Sequence, residues 1–209
     1  MPIEKDSIKK PNLLYVEGKD AELFFVYALR SLGLNNIQVF SFAGNSKIDV
    51  AQLLRTPASE GVEVKRLVII RDVEVGTRED AIKSIQSKLT DAGLKAPQSE
   101  FALTRTDCIE VGFALLPTKD IEGCTLESLC VNMLSDKSAA ECVDSFLKCC
   151  NKKYCGVFKQ EHKNRLYSHL SGTNSYKGMK IGEAAKAGAF DFESEAFKPY
   201  KKFLTSINS

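Results

Sequence analysis

The chain has 209 residues, a hydrophobic content of 44%, a charged content of 27% and a formal net charge of +2 at pH 7. These proportions are ordinary for a globular protein, and they exclude disorder on a large scale. No run approaches the roughly 18 apolar residues that a membrane-spanning helix needs. Residues 1–10 are polar where a signal peptide would be apolar. We therefore expect a cytoplasmic protein with no membrane partner.

The first predicted unit is a strand followed by a turn and a helix. A strand is predicted over residues 12–16, because the apolar run over 13–16 is typical of a buried parallel strand, and Glu17 follows it. A helix is predicted over 20–32, with Asp20 as its N-cap, and a second strand over 37–42. Ligands of open α/β sheets bind beyond the carboxyl ends of such strands, which makes Glu17 a candidate site residue.

The turn over residues 43–47 leads into a helix predicted over 48–54 and brings small and polar groups to the end of the second strand. Contact between Lys47 and a phosphate is one interpretation of this turn. The turn lacks the glycine and lysine spacing of a P-loop, and a surface lysine after a Gly-Asn turn is the other interpretation.

The third predicted strand covers residues 65–71 and is followed by two acids, Asp72 and Glu74. Because side chains alternate along a strand, the two carboxylates are expected on the same side. Oxygen ligands gathered at a strand end suit a hard cation such as Mg²⁺. Salt bridges with Arg71 or Arg78 are the alternative explanation of the two acids.

Later segments predict a helix after the N-cap Thr77 and two strands within residues 101–116, split at Asp107 and ended by Pro117. The sheet gains an edge there, which could pair across a twofold axis in a homodimer. Glu127 is expected in the first turn of a helix, where the helix dipole alone could explain it. Helices are predicted over 126–134, 139–150, 164–170, 181–187 and 194–207.

Charge is unevenly distributed along the chain. Residues 1–147 carry 17 basic and 22 acidic side chains, whereas residues 148–209 carry 12 and 5. A basic segment beside an acidic cation site suits a protein that handles polyanions, since lysine and arginine neutralise phosphates. A solvated basic surface explains the same counts.

The seven cysteines are expected to be reduced, because their number is odd and most lie in predicted helices or strands. A zinc cluster of Cys149, Cys150 and Cys155 with His162 or His169 is an alternative. It lacks the CxxC pairs of common zinc sites, and free cysteines are commonly small core residues.

Together these patterns predict an α/β fold with a mostly parallel, Rossmann-like sheet flanked by helices. We expect this domain over residues 1–135 and a basic helical extension over residues 136–209, packed on it as one structural unit.

The chain carries the motif LYVEGKD at residues 14–20 and the motif IIRDVE at residues 69–74. These two motifs resemble the TOPRIM domain that topoisomerases, bacterial primases and OLD-type nucleases share, except that the second ends in Glu74 where the TOPRIM pattern has Asp. A closer resemblance is to an uncharacterised family of small stand-alone TOPRIM-like proteins. Its pattern covers residues 123–127, 165–170, 181–185 and 190–193.

The resemblance implies a role for each acid. Glu17 would act in general acid/base transfer or contact the metal, and Asp72 with Glu74 would hold Mg²⁺ or Mn²⁺. Glu127 would complete a second cation position. The candidate contacts with substrate are Lys19, Lys47, Arg71 and Arg165.

Two functions follow from this reading of the sequence. The first is a Mg²⁺-dependent nuclease, or a related phosphotransfer enzyme, acting on nucleic acid phosphodiesters. The second is a non-catalytic regulatory module that binds a nucleotide or nucleic acid through the same site and signals to a partner protein. A third interpretation makes all the carboxylates ordinary surface charges.

Overall fold

The computed structural model describes residues 7–42, 48–73, 76–107, 109–154 and 161–209. Three of the predicted features lie outside these residues: Lys47 with its turn, Glu74 and Cys155. The described strands are β1 (Asn12–Glu17), β2 (Ile37–Phe42), β3 (Arg66–Asp72), β4 (Leu103–Thr106) and β5 (Ile109–Leu116). The described helices are α1 (Gly18–Ser31), α2 (Val50–Leu54), α3 (Arg78–Asp91), α4 (Leu126–Asn132), α5 (Ala140–Tyr154), α6 (Glu161–Ser171), α7 (Ile181–Lys186) and α8 (Lys198–Ser206).

The five strands form one sheet in the order β2-β1-β3-β5-β4. Neighbouring strands are parallel except for β4, which runs antiparallel to β5 at the edge. The chain leaves β1 for β2 on one side and then returns to β3 on the other side of β1. The strand order therefore reverses between β1 and β3, and this switch point is where open α/β sheets bind ligands.

Side chains of the central strands alternate between two apolar layers, which explains why these strands are continuous apolar runs. We call the side that carries Val16 and Ile70 the first face, and the side that carries Tyr15 and Ile69 the second face. The first face is covered by α1, α4, α6, α7 and α8, and the second by α2 and α3. The expectation of an α/β fold with helices on a mostly parallel sheet is confirmed.

The aromatic residues near the end of the chain belong to the apolar layer on the first face. Phe24 of α1 contacts the rings of Phe190, Phe192 and Phe197, at centroid distances of 5.3–6.0 Å. Tyr200 stacks on Phe197 at 5.7 Å. These rings are packing residues, so the C-terminal helices share one apolar layer with the sheet.

Helix α7 lies very close to α1. A Cβ atom on Gly182 would come within 2.4 Å of the Cβ of Leu23, which is shorter than any van der Waals contact. Only glycine fits at this approach, and it allows the basic C-terminal segment to pack directly beside the helix that follows Glu17.

Some predicted boundaries differ from the structure. The predicted N-cap Asp20 is wrong, because α1 begins at Gly18, and Asp20 lies inside its first turn. The Gly18 backbone has φ +81°, which lets the chain turn from strand to helix without an intervening loop. Helix α5 extends to residue 154, beyond the predicted end at residue 150. No described helix is both long and apolar enough to cross a bilayer.

Candidate functional site

The carboxyl ends of β1 and β3 bring two predicted site residues to the switch point. The last paired residues of these strands are Val16 and Ile70. Glu17 and Asp72 follow and are the final residues of their strands. Both side chains are half-buried, and the Oε2 atom of Glu17 is shielded from solvent. The two acids therefore lie on neighbouring strands at the same edge of the sheet.

Asp72 also fixes the start of helix α4. Its Oδ1 atom accepts a hydrogen bond from the backbone N–H of Leu126, at 2.8 Å. Thr125 occupies the N-cap position, but its side chain makes no capping hydrogen bond. A carboxylate at this position satisfies a helix N–H and is stabilised by the helix dipole. Asp72 is thus held toward the first face, where Leu126 belongs to the apolar layer.

Further negative charge gathers on the first face. Glu127 lies in the first turn of α4 and is half-buried. Burial, then the charges of Glu127 and Asp72, raise the pKa of the Cys130 thiol well above its ordinary value. Burial also raises the pKa of Tyr167 to about 12, with Asp20 and Glu127 as the next causes. The negative charges of Asp20, Asp72 and Glu127 therefore act on the same region of the first face. The side chains of Cys130 and Tyr167 keep their protons there at neutral pH.

Strand alternation separates Glu17 from Asp72. Glu17 is two residues after Tyr15 and so shares the second face, whereas Asp72 is two residues after Ile70 and shares the first. The two carboxyl groups therefore approach the strand ends from opposite sides. An ion that both of them contact would have to lie beyond the ends of the strands.

The two arginines that offered a structural explanation of the acids have other contacts. Arg78 forms a two-point ion pair with Glu100, with N–O distances of 2.6 and 2.7 Å. Its Nη1 atom donates to the carbonyl of Pro117 at 2.9 Å. Arg71 donates from Nε to the main-chain carbonyl of Asp72 at 3.0 Å, not to its carboxylate.

Of the candidate substrate contacts, Lys19 is exposed and pairs with Glu22, one turn along α1. Glu22 also accepts a hydrogen bond from Ser41 at the end of β2. These three residues line a recess of about 250 Å³ beside the ends of β1 and β2, together with Tyr15 and Gln52. Lys19 therefore lies beside the switch point, on its β2 side.

Arg165 has a different environment. It forms an ion pair with Asp144 of α5 at 2.9 Å and a longer one with Glu161 at 3.6 Å. The first pair links α6 to α5, and the second lies within α6. The ion pairs that the structure gives Arg165 are therefore with its own helix and with α5.

Metal ligands are the least complete part of the site. Within the described ranges, no group of three or more Asp, Glu, His or Cys side chains is arranged to hold a metal ion. Glu74, a predicted ligand, is outside those ranges, so Glu17, Asp72 and Glu127 are the described part of the predicted ligand set. Their carboxylate oxygens are the donor type that Mg²⁺ and Mn²⁺ prefer.

The predicted zinc cluster has little support from the described residues. Cys149 is exposed on α5, and His169 is buried, with Nε2 2.7 Å from the carbonyl of Asp136. Cys155 lies outside the described residues, so the cluster as a whole stays a prediction.

Two residues near the acids were not predicted from the sequence as part of the site. Asp20 contributes negative charge there, and Tyr167 lies close enough for that charge to raise its pKa. Asp20 was expected only as a helix cap. Tyr167 falls inside the segment 165–170 that carries the resemblance, but nothing in the sequence indicates that α6 packs on α4. The packing of α6 on α4 brings Tyr167 there.

Comparison with known proteins gives one match. A family model described as "Protein of unknown function (DUF3226)" matches residues 11–208. No curated protein and no solved structure matches the chain. The matched range begins immediately before β1 and ends after α8, so it includes every described strand and helix. The chain therefore belongs to the DUF3226 family.

Proposed function

We propose that this protein is a Mg²⁺- or Mn²⁺-dependent nuclease, or a related phosphotransfer enzyme, with a TOPRIM-type site that acts on nucleic acid phosphodiesters. The observation that carries the proposal is the position of Glu17 and Asp72. They end two adjacent parallel strands on either side of the point where strand order reverses. Ligands of open α/β sheets bind at this point.

Each acid has a chemical role in the proposal. Asp72, together with Glu74, would hold the cation, and Glu127 would serve a second cation. The bound metal would neutralise charge on the phosphate oxygens and favour formation of the attacking or leaving oxyanion. Glu17, partly shielded from water, would transfer a proton to or from the reacting oxygen.

The basic C-terminal segment supports nucleic acid as the substrate. Helix α7 packs on α1, and α1 starts directly after Glu17. Helix α6 packs on α4, whose first backbone N–H donates a hydrogen bond to Asp72. Exposed lysines such as Lys180 and Lys186 border α7. The excess of positive charge over residues 148–209 would attract the phosphate backbone toward the acidic strand ends.

A cleavage assay tests the proposal. Wild-type protein is incubated with Mg²⁺ or Mn²⁺ and with single- and double-stranded DNA and RNA, alongside Asp72→Asn and the control Asp107→Asn. The control makes the same charge change in an exposed turn before β5, at the opposite end of the sheet. Its backbone has φ +42°, which asparagine also accepts.

We expect cleavage by the wild type and by Asp107→Asn, and none by Asp72→Asn. Retention of cleavage in Asp72→Asn would contradict the assignment of the site. Loss of cleavage in both variants would point to damage of the fold, which circular dichroism of the same samples would reveal.

A non-catalytic binding module is the second candidate. It is favoured by the hydrogen bond that one oxygen of Asp72 already makes to α4. A wild type that binds metal and nucleic acid without cleaving any of the four substrates would support this candidate.

A further inference from the structure

We propose that the recess beside the ends of β1 and β2 is a sugar subsite that binds the ribose of an RNA strand, with Glu22 accepting a hydrogen bond from the 2′-hydroxyl. The protein would then prefer RNA to DNA. The identity of the ligand as a nucleic acid rests on the proposed function, which leaves the kind of nucleic acid open. The position, size and lining of the recess support a sugar.

The recess lies between two helices at one side of the sheet. Its walls come from α1, through Lys19 and Glu22, and from α2, through Gln52. Residues 39–41 of β2 and Tyr15 of β1 lie between these walls. Strand β2 is the outermost strand of the sheet, so no further described strand covers the recess.

The size of the recess suits one nucleotide unit. Its volume is about 250 Å³. Pockets for drug-sized ligands have volumes of about 300–1,000 Å³, so this recess has room for a smaller group. A pentose or a single nucleoside is such a group, whereas a stretch of duplex is not. We therefore expect the recess to hold one unit of a single strand.

Glu22 provides hydrogen-bond acceptors in the recess. Its side chain is 18% exposed, and each of its carboxylate oxygens accepts one hydrogen bond from a described residue, one from Lys19 and one from Ser41. A carboxylate has about four acceptor positions, so about two stay open for a ligand. Ser41 gives its proton to Glu22, which leaves its oxygen as a further acceptor. A ligand group that fits here is therefore a hydrogen-bond donor.

The lining favours a sugar hydroxyl over a phosphate. An ionised phosphate oxygen cannot donate to Glu22, and the two negative charges repel each other. A hydroxyl can donate to Glu22 and accept from Lys19, whose ammonium has two N–H groups besides the one bonded to Glu22. The half-buried Val39 and Phe40 add an apolar wall, against which the carbon atoms of a sugar can pack.

The 2′-hydroxyl is the free sugar hydroxyl inside a nucleic acid strand. The 3′ and 5′ oxygens are bonded to phosphates, and DNA has no 2′ oxygen. Contacts with the 2′-hydroxyl are how proteins distinguish RNA from DNA at a given site. A carboxylate that accepts from this hydroxyl would therefore select RNA.

The sugar subsite is close to the proposed site of cleavage. Glu17 ends β1, and Lys19 follows it by two residues. Neighbouring strands are about 4.8 Å apart, so a sugar at the end of β2 lies beside the end of β1. The adjoining phosphodiester of the same strand would then lie near the acids.

Binding of three single strands of the same sequence tests the proposal. RNA, DNA and 2′-O-methyl RNA are titrated into the wild type, Glu22→Gln and Glu79→Gln, with a chelator that removes divalent cations. Glu79 is the matched control, because it is an exposed acid on α3, which covers the second face. The 2′-O-methyl strand keeps the sugar oxygen but lacks the proton that Glu22 would accept.

We expect the wild type and Glu79→Gln to bind RNA about tenfold more tightly than the other two strands, the effect of one hydrogen bond to a charged group. Glu22→Gln should lose most of this preference and still bind all three strands. A purely structural Glu22 would change the binding of all three alike. That result, or a wild type that does not bind RNA more tightly than both other strands, would overturn the proposal.

Thr56→Tyr tests whether the recess is the place where the sugar binds. Thr56 lines the recess and is half-buried, so a larger side chain would fill part of the space without changing the charge. The preference for RNA should decrease in this variant. It should be unchanged in Thr90→Tyr, which makes the same substitution at an exposed position on α3. An unchanged preference in Thr56→Tyr would place the sugar elsewhere and overturn the assignment.

Cleavage assays with metal separate this proposal from the proposed function. A wild type that binds RNA preferentially without metal but cleaves no substrate with metal would keep the sugar subsite and contradict the nuclease. A wild type that cleaves RNA and DNA but binds them equally would keep the nuclease and contradict the sugar subsite.

Discussion

Strand β3 carries an arginine at each end, and the two have different environments. At the amino end, Arg66 is directly opposite Glu110 of β5 and pairs with it. At the carboxyl end, Arg71 is opposite Leu115, and its Nε atom donates to the carbonyl of Asp72. The charge of Arg66 at the amino end is thus neutralised by an acid of the neighbouring strand. The charged groups at the carboxyl end lie where open α/β sheets bind ligands. We expect the charge at the amino end to stabilise the fold, and we propose that the charge at the carboxyl end serves a ligand.

The largest effect is expected at the carboxyl end. Glu17→Gln keeps the size of the side chain but removes its proton-transfer ability, so turnover in the nuclease assay should fall by about 10²- to 10⁴-fold. Glu63→Gln is the matched control, since Glu63 is exposed just before the amino end of β3 and should keep full turnover. Equal turnover by Glu17→Gln and the wild type would contradict a catalytic role for the acid at the carboxyl end of the sheet.

The next largest effect is expected where α7 packs on α1, the helix that follows Glu17. Gly182→Ala places a methyl group against Leu23 and should destabilise the fold by about 1–3 kcal/mol, because α7 must move away from α1. Urea unfolding measures the change. In a Leu23→Gly background, which removes the Cβ that the new methyl group meets, the same substitution should cost much less. An unchanged cost in that background would contradict the contact as the cause.

A smaller effect is expected at the amino end. Glu110→Gln removes the charged partner of Arg66 and should lower the free energy of unfolding by about 0.5–1 kcal/mol, since the pair is only partly buried. Turnover should not change. Reduced turnover with normal stability would assign the amino end a functional role that we do not expect.

The smallest effect concerns alkaline pH. Burial raises the pKa of Tyr167 from 10.0 to about 12 in the folded protein, so the folded state keeps a proton that the unfolded state loses. The stability that Tyr167 contributes is present below pH 10 and decreases as pH rises toward 12. Tyr167→Phe should therefore show a shallower loss of melting temperature above pH 10 than the wild type. Identical pH profiles would mean that Tyr167 is not in the environment described here.

The sequence predicted the strands well because both sides of the sheet are apolar. Continuous apolar runs end at turn residues or acids, so the bounds of β1 and β3 were predicted to within one residue at each end. Asp107, at the turn between β4 and β5, was also recognised. The Asp20 cap failed because Gly18, with a positive φ, starts the helix two residues earlier than the capping pattern indicates.

The site was only partly predictable. The position of Glu17 and Asp72 at strand ends follows from local patterns, and so it was expected. The hydrogen bond that the Leu126 N–H donates to Asp72 joins residues 54 positions apart and depends on how α4 packs. The difference between Arg66 and Arg71 depends on the register of β5, which no local pattern specifies.

A calorimetric titration of Mn²⁺ into the wild type and Asp72→Asn tests directly whether the acids at the carboxyl end of the sheet bind a cation. If the acids at the carboxyl end of the sheet form a cation site, the wild type binds Mn²⁺ and Asp72→Asn binds it at least about tenfold more weakly. Asp107→Asn should match the wild type. Absence of Mn²⁺ binding by the wild type, or equal binding by Asp72→Asn, would contradict the account.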